Sequence, residues 1–107
     1  MEVHNQLGAG FLEIVYKDAL EYEFRNANIS FEREKEYEVL YKDIILPHRV
    51  YADFAVFDKI ILEIKGVSAL SDEFTVQCIN YLKVSGCKLA LLVNFGELKL
   101  NYKRIVL

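Results

Sequence analysis

Apolar side chains recur at steps of three and four residues near the start of the chain. Between residues 10 and 28, charged side chains fill most of the other positions, and the apolar ones include Phe11, Leu12, Val15, Ala19, Leu20 and Tyr22. This spacing predicts an amphipathic helix over residues 10–28. The polar side chains of Asn26 and Asn28 mark its expected end.

Five later segments are rich in apolar and aromatic residues, a composition that predicts strands. They are residues 31–46, 49–57, 59–67, 88–95 and 98–106. The first carries a turn signal at Lys42 and Asp43 and predicts a hairpin or two short strands, while the second and third join near Asp58. The fourth is almost entirely apolar, which is typical of a strand covered on both faces. The last segment alternates apolar and polar residues, as an exposed or edge strand does.

A second helix is predicted between the third and fourth of these segments. Ser71 can cap its start, Asp72 and Glu73 occupy the first turn, where the helix dipole favours acids, and Gly86 follows its end near Ser85. A helix between two strands implies that some strands pair in parallel. The order of elements therefore predicts an α/β sandwich.

Length and composition narrow the class of protein. The chain has 107 residues, of which 53% are hydrophobic and 27% charged, so we expect one packed domain over residues 1–107. A formal net charge of −3 predicts no broad cationic surface, and any polyanion must be met locally. Two cysteines suggest neither a disulfide framework nor a zinc knuckle. With no signal peptide or membrane-spanning run, the expected location is the cytoplasm.

Charged residues interrupt the two central strand segments. Glu63 and Lys65 lie two apart and so share one face of a strand whose other face is apolar. Alone, they would be most simply explained as an internal ion pair. Asp53 changes this interpretation because it is an acid inside the preceding apolar segment, and two half-buried acids on adjacent strands repel unless a cation lies between them.

The loop between these strands decides whether the two acids meet. A two-residue turn at Asp58 and Lys59 would pair Phe54 with Glu63 and place Asp53 on the opposite face. An odd-length loop, or a bulge, would bring Asp53 across from Glu63 on the same face. We predict the second register, because a metal site requires it.

In that register the residues form an all-oxygen cluster. The carboxylates of Asp53 and Glu63, with the backbone carbonyl of Ile64, suit Mg²⁺ or Mn²⁺, which are hard cations that keep several waters. Lys65 would lie beside the cluster, where it could orient an activated water and hold a phosphate oxygen. These are the parts that phosphodiester hydrolysis requires.

Three polar residues on the predicted helices are further candidates. Gln77 and Tyr81 lie four apart on one face of the second helix. Without context, Tyr81 is more simply a partly buried aromatic residue and Gln77 a surface residue. Glu13 lies near the start of the first helix, where a solvated acid helped by the helix dipole is the common case.

Taken in order, the candidate residues resemble the PD-(D/E)XK nuclease superfamily: a helix acid, then an aspartate, then Glu-x-Lys on the next strand. The pair formed by Gln77 and Tyr81 resembles the QxxxY motif of RecB-type exonucleases. Residues 10–16, GFLEIVY, match the signature of the GxxExxY family of small bacterial and archaeal proteins, and residues 4–10, 51–53 and 92–96 are similar to that family's segments. Jointly these motifs are specific, and they cover nearly the whole chain.

The resemblance implies a restriction-endonuclease-like αβββαβ core with a central mixed sheet flanked by helices. Asp53 and Glu63 would then bind Mg²⁺ or Mn²⁺, together with the Ile64 carbonyl, and Lys65 would position the attacking water. Glu13 would complete the site directly or through water. Ala52 stands where the superfamily often has proline, a variation that leaves the carboxylate of Asp53 unaffected.

The resemblance also assigns roles outside the acidic cluster. Gln77 and Tyr81 would orient the site or contact the nucleic-acid backbone. An upstream histidine binds metal in some RecB-type nucleases, although His4 is more simply an ordinary residue at a helix end. Members of the narrower family usually carry further helical residues before this point, so the chain is expected to begin partway through its first helix.

Three functions follow from these expectations. The first is a Mg²⁺-dependent nuclease acting on DNA, with RNA as the other candidate substrate. The alternative is a non-catalytic module that uses the same fold to bind nucleic acid or protein, and the third is a structural domain with an internal ion-pair network. So small a chain has little surface to grip a duplex, and a two-fold homodimer would supply two sites.

Overall fold

A computed structural model describes residues 1–107 as one five-stranded sheet packed between helices, with a separate two-stranded hairpin. Helices α1 and α2 cover one face of the sheet and α3 covers the other. The elements, in chain order, are α1 (Glu2–Leu7), α2 (Glu13–Asn26), β1 (Phe31–Tyr37), β2 (Leu40–Tyr41), β3 (Ile44–Ile45), β4 (Val50–Val56), β5 (Ile60–Lys65), α3 (Asp72–Ser85), β6 (Leu89–Asn94) and β7 (Asn101–Val106).

The five-stranded sheet is mixed. Its strand order is β1-β4-β5-β6-β7, and only β5 and β6 pair in parallel, because α3 carries the chain back between them. The other neighbours are antiparallel. The predicted α/β architecture is confirmed, including a helix that ends at Ser85 and is followed by Gly86 in the left-handed conformation, with φ 77°.

Two predicted elements differ from the structure. Residues 31–46 form three strands rather than one hairpin or two short strands, because β1 pairs with β4. The predicted turn at Lys42 and Asp43 is confirmed and joins β2 to β3. Helix α2 begins at Glu13 rather than at residue 10. Gly10 has a φ of 108°, a conformation that ends helical geometry and that glycine adopts readily.

The sheet separates two apolar cores. Phe54, Leu62 and Ile64 pack against α2 on one face, while Ala55 and Ile61 pack against α3 on the other. Because side chains alternate along a strand, β4 and β5 contribute to both cores. No helix is both long and apolar enough to cross a membrane.

Strands β1 and β4 change faces at their centres. Phe54 and Ala52 lie two apart and should share a face, yet Phe54 belongs to the core beneath α2 and Ala52 to the core beneath α3. Asp53 lies between them, opposite Glu34, whose φ of 52° is left-handed, and these two residues drop out of the strand pairing. The Asp53 side chain therefore does not follow the regular alternation of side chains between the two faces of the sheet.

Candidate active site

The carboxylates of Asp53 and Glu63 meet where β4 and β5 separate. A three-residue loop at positions 57–59 joins the strands, and Phe54 pairs with Leu62, so Asp53 lies opposite Glu63. This confirms the odd-length loop predicted from the sequence. Beyond the pair of Phe54 and Leu62, side chains of the two acids join the strands. The Asp53 N–H donates to Glu63 Oε2 at 2.7 Å, and the Ile64 N–H donates to Asp53 Oδ2 at 2.8 Å.

Glu63 is the most sheltered carboxylate of the site. Its residue is 3% exposed. Burial, together with the nearby negative charge of Asp53, raises the pKa of Glu63 to about 8, although the hydrogen bond from the Asp53 backbone and the charges of Lys65 and Lys17 act in the opposite direction. Glu63 Oε1 accepts no hydrogen bond from the protein and is not sealed from solvent, so it is free to bind a cation.

A lysine that sequence reasoning missed contacts Asp53 directly. Lys17 Nζ lies 2.7 Å from Asp53 Oδ1, and the side chains are only 16% and 13% exposed. Burial disfavours the charged ammonium, but the hydrogen bond and charge of Asp53 outweigh it and raise the pKa of Lys17. One signal was available in the sequence: Lys17 lies four residues after Glu13, so both side chains share a face of α2.

Lys65 has an aromatic partner, although its positive charge is close enough to Glu63 to act on the pKa of that carboxyl. Its Nζ lies 4.6 Å from the centre of the Phe74 ring, a cation–π contact with α3, and it forms no ion pair with Asp53 or Glu63. The sequence placed Lys65 on the face of Glu63, beside the cluster. The structure retains that face but gives the ammonium an aromatic partner.

Glu13 approaches the end of β5 from the other side of the sheet. Its Oε2 accepts the Gly66 N–H at 3.1 Å. The buried ring of Tyr16 helps to fix this end of α2, since its hydroxyl donates to the Gly8 carbonyl at 2.6 Å. Glu13 does not converge with the other two carboxylates, and no three acidic, histidine or cysteine side chains gather closely enough to hold a metal ion.

Gln77 and Tyr81 line a groove of about 590 Å³ beside α3. Tyr81 is half-buried, and burial, with the negative charges of Glu63 and Asp53, raises the pKa of its hydroxyl to about 12. Its phenol is therefore a neutral hydrogen-bond donor near the acids at any physiological pH. Gln77 is exposed one turn earlier on the same helix, and the groove that both side chains line includes neither Asp53 nor Glu63.

Two other polar residues have structural partners. His4 Nε2 lies 2.9 Å from the Glu97 carbonyl oxygen, and its ring packs near Phe95 rather than near the acids. Asn94 is fully buried, and its amide group bonds both the N–H and the carbonyl of Val67, at 3.0 and 2.9 Å. Asn94 thereby ties the end of β6 to the segment that follows β5.

A family model of the PD-(D/E)XK nuclease superfamily matches residues 1–105. The chain belongs to this superfamily. Its fold is similar to that in the crystal structure of SSO0001, with a TM-score of 0.68 and 20% sequence identity. The similarity covers 88% of this chain and 50% of that one, so the chain spans about half the length of that protein. No curated protein matches the chain.

PD-(D/E)XK nucleases generally use divalent metal ions. In this chain two carboxylates, those of Asp53 and Glu63, come together, and no third acidic, histidine or cysteine side chain joins them. Carboxylate oxygens are the ligands that Mg²⁺ and Mn²⁺ prefer. Those of Asp53 and Glu63 are held near each other by hydrogen bonds from the Ile64 and Asp53 N–H groups. A positive charge, the Lys17 ammonium, already lies against Asp53 Oδ1. Because the N–H and C=O groups of one strand residue point to the same side, the Ile64 carbonyl also faces β4 and the acids.

Proposed function

We propose that this PD-(D/E)XK protein is a metal-dependent nuclease of the GxxExxY type, formed by residues 1–107 as a single domain, that hydrolyses phosphodiester bonds of DNA. The observation that supports it most is the meeting of Asp53 and Glu63 across separating strands, with Glu63 Oε1 free. Two acids are placed together in a sheltered site against their mutual repulsion. That arrangement favours cation binding over a purely structural role.

Asp53, Glu63 and the Ile64 carbonyl would hold Mg²⁺ or Mn²⁺. A bound divalent ion supplies positive charge that lowers the pKa of water and stabilises charge developing on a phosphate. The protein's own contribution is to fix the two carboxylates by backbone hydrogen bonds, so that little reorganisation accompanies binding. Glu13, held at the Gly66 N–H, would act through an intervening water rather than as a direct ligand.

Lys65 and the α3 residues would act on the substrate. A change of rotamer brings the Lys65 ammonium from Phe74 towards Glu63, with which it shares a strand face. There it would orient the attacking water and contact a phosphate oxygen. Tyr81 would donate a hydrogen bond at the rim of the site, and Gln77 would contact the nucleic-acid backbone along the groove.

The direct test offers three substrates of one sequence to the purified protein: fluorescent single-stranded DNA, duplex DNA and RNA. We expect DNA cleavage with Mg²⁺ or Mn²⁺ and none in EDTA. Lys65→Ala should lower the rate about 10²-fold or more, because it removes the group that positions water. Glu73→Gln, an exposed acid on α3, is the matched control and should cleave normally. Equal rates for Lys65→Ala and the unaltered protein would attribute the cleavage to a contaminant.

One observation favours the alternative, a non-catalytic binding module. In the structure Asp53 is neutralised by Lys17, and Lys65 is engaged by Phe74, an arrangement in which each charge already has a partner. Titration calorimetry with Mn²⁺ separates the two functions. Heat of binding that disappears in Asp53→Asn supports the nuclease, whereas binding of DNA without any binding of Mn²⁺ supports the module.

We also propose that two copies associate through the β2–β3 hairpin. Its four strand residues, Leu40, Tyr41, Ile44 and Ile45, are large, apolar and 51–68% exposed. Residues 38–49 carry two acids and two formally basic residues, so the hairpin has no excess positive charge for phosphate. An apolar, electrically balanced surface is suited to an isologous contact with a second copy.

Light scattering tests this association. The unaltered protein should have the mass of a dimer, and the double variant Leu40→Glu, Ile45→Glu should have that of a monomer, because charges on both strands would be buried against their copies. Circular dichroism should show that the fold is retained. A strict monomer at high concentration would contradict the proposal.

A further inference from the structure

The ion pair between Lys17 and Asp53 lies at the proposed metal site and has no role in the chemistry described above. Lys17 reaches the acid from α2, across the sheet from Lys65, and their charged atoms are 2.7 Å apart. Both side chains are sheltered from solvent. A sheltered pair at this distance is stronger than a surface ion pair, since water screens it poorly.

Both oxygens of Asp53 are engaged, but their partners differ in mobility. Oδ2 accepts the Ile64 N–H, which is part of a strand. Oδ1 contacts the ammonium of Lys17, at the end of a flexible four-carbon side chain. If a cation approaches Asp53, the backbone donor cannot move without disturbing β5, whereas the ammonium can.

A second partner for the displaced ammonium is already in contact. Glu34 Oε1 lies 3.4 Å from Lys17 Nζ, and the Glu34 side chain is 53% exposed. Glu34 lies opposite Asp53 at the left-handed position of β1, where the strand changes faces. A small shift of Lys17 therefore exchanges Asp53 for Glu34 without leaving a buried charge unpaired.

Building on the proposed function, we propose that Lys17 is an internal competitor of the metal ion. In the metal-free protein its ammonium neutralises Asp53 and holds the carboxylate in the orientation in which it binds the ion. Binding of the divalent ion displaces the ammonium from Oδ1 towards Glu34, because two cations on one oxygen repel. Lys17 is thus a positioning residue that stabilises the empty site and lowers its affinity for metal.

Titration calorimetry with Mn²⁺ on unaltered protein, Lys17→Met and Lys65→Met tests this inference. Methionine retains much of the length of lysine without its charge. We expect Lys17→Met to bind Mn²⁺ about tenfold more tightly than the unaltered protein. Lys65→Met is the matched control for simple removal of a nearby positive charge, since Lys65 forms no ion pair with the acids. Its affinity should rise by a much smaller factor.

Thermal unfolding supplies a second readout that does not depend on activity. In EDTA, Lys17→Met should unfold at a lower temperature than the unaltered protein, and saturating Mn²⁺ should remove the difference. Suppose that the unaltered protein binds Mn²⁺. If the affinity of Lys17→Met is then unchanged or weaker, or if both variants gain affinity equally, the inference about Lys17 is wrong and the proposed function still stands. If none of the three proteins binds Mn²⁺, the proposed function fails with it.

Discussion

Glu63→Gln should abolish Mn²⁺ binding and DNA cleavage while making the metal-free protein more stable. The amide retains the shape of the side chain, and its oxygen can still accept the Asp53 N–H, but it no longer offers a negative charge to a cation. We expect cleavage to fall by about 10³-fold or more. At pH 7 the free energy of unfolding in EDTA should rise by about 2–3 kcal/mol, because the pKa of about 8 reflects a cost of ionisation in the fold that glutamine avoids.

Urea unfolding in EDTA and calorimetry with Mn²⁺ measure the two effects on the same preparations. Glu73→Gln makes the same chemical change on an exposed part of α3 and should alter neither quantity appreciably. A Glu63→Gln protein that is less stable than the unaltered one would show that the ionised carboxylate contributes to folding. The interpretation of Glu63 as a carboxyl whose ionisation destabilises the metal-free fold would then be wrong.

The stability of the metal-free protein should fall as the pH rises from about 4.5 to about 8. Glu63 has its ordinary pKa of 4.5 in the unfolded chain and a pKa of about 8 in the fold, so the folded protein holds a proton that the unfolded chain has released. This contribution is fully present below pH 4.5, declines through the interval and is lost above pH 8. Over the whole interval we expect a loss on the order of 3–5 kcal/mol from this group.

Chemical unfolding in EDTA at half-unit pH steps measures the trend. Glu63→Gln should lack this contribution, so the difference in unfolding free energy between the two proteins isolates Glu63 from the other titrating groups. Saturating Mn²⁺ should reverse the trend, because an ion prefers the ionised carboxylate. A pH-independent difference between the two proteins would mean that Glu63 ionises normally in the fold.

The fold and the acidic pair were accessible from the sequence because they depend on local rules. Periodicity located α2 and α3, and the continuous apolar run of β6 predicted a strand covered on both faces. Face alternation left two registers of β4 and β5 open, and the requirement of a metal site selected the one that places Asp53 across from Glu63. That register needs a loop of odd length, and the loop has three residues.

The partners of the charged groups were less accessible, because they depend on how elements pack. Nothing in a strand pattern indicates that Lys17 crosses from α2 to Asp53, or that Phe74 on α3 engages Lys65. The pairing of β1 with β4 was missed for a similar reason. A turn signal at Lys42 is local, whereas the choice of strand partner is decided by contacts far along the chain.

The tie formed by Asn94 affects how fast the site can respond. Besides bonding Val67 through its side chain, it lies beside Phe95, whose N–H donates to the Lys65 carbonyl at 2.8 Å. The backbone at Lys65 is therefore anchored, and in the proposed function its ammonium would move from Phe74 to a substrate by side-chain torsions alone. Such torsions change within picoseconds to nanoseconds, far faster than loop closure. If the protein cleaves DNA as proposed, turnover should be limited by chemistry or by product release, and increased solvent viscosity should slow only product release.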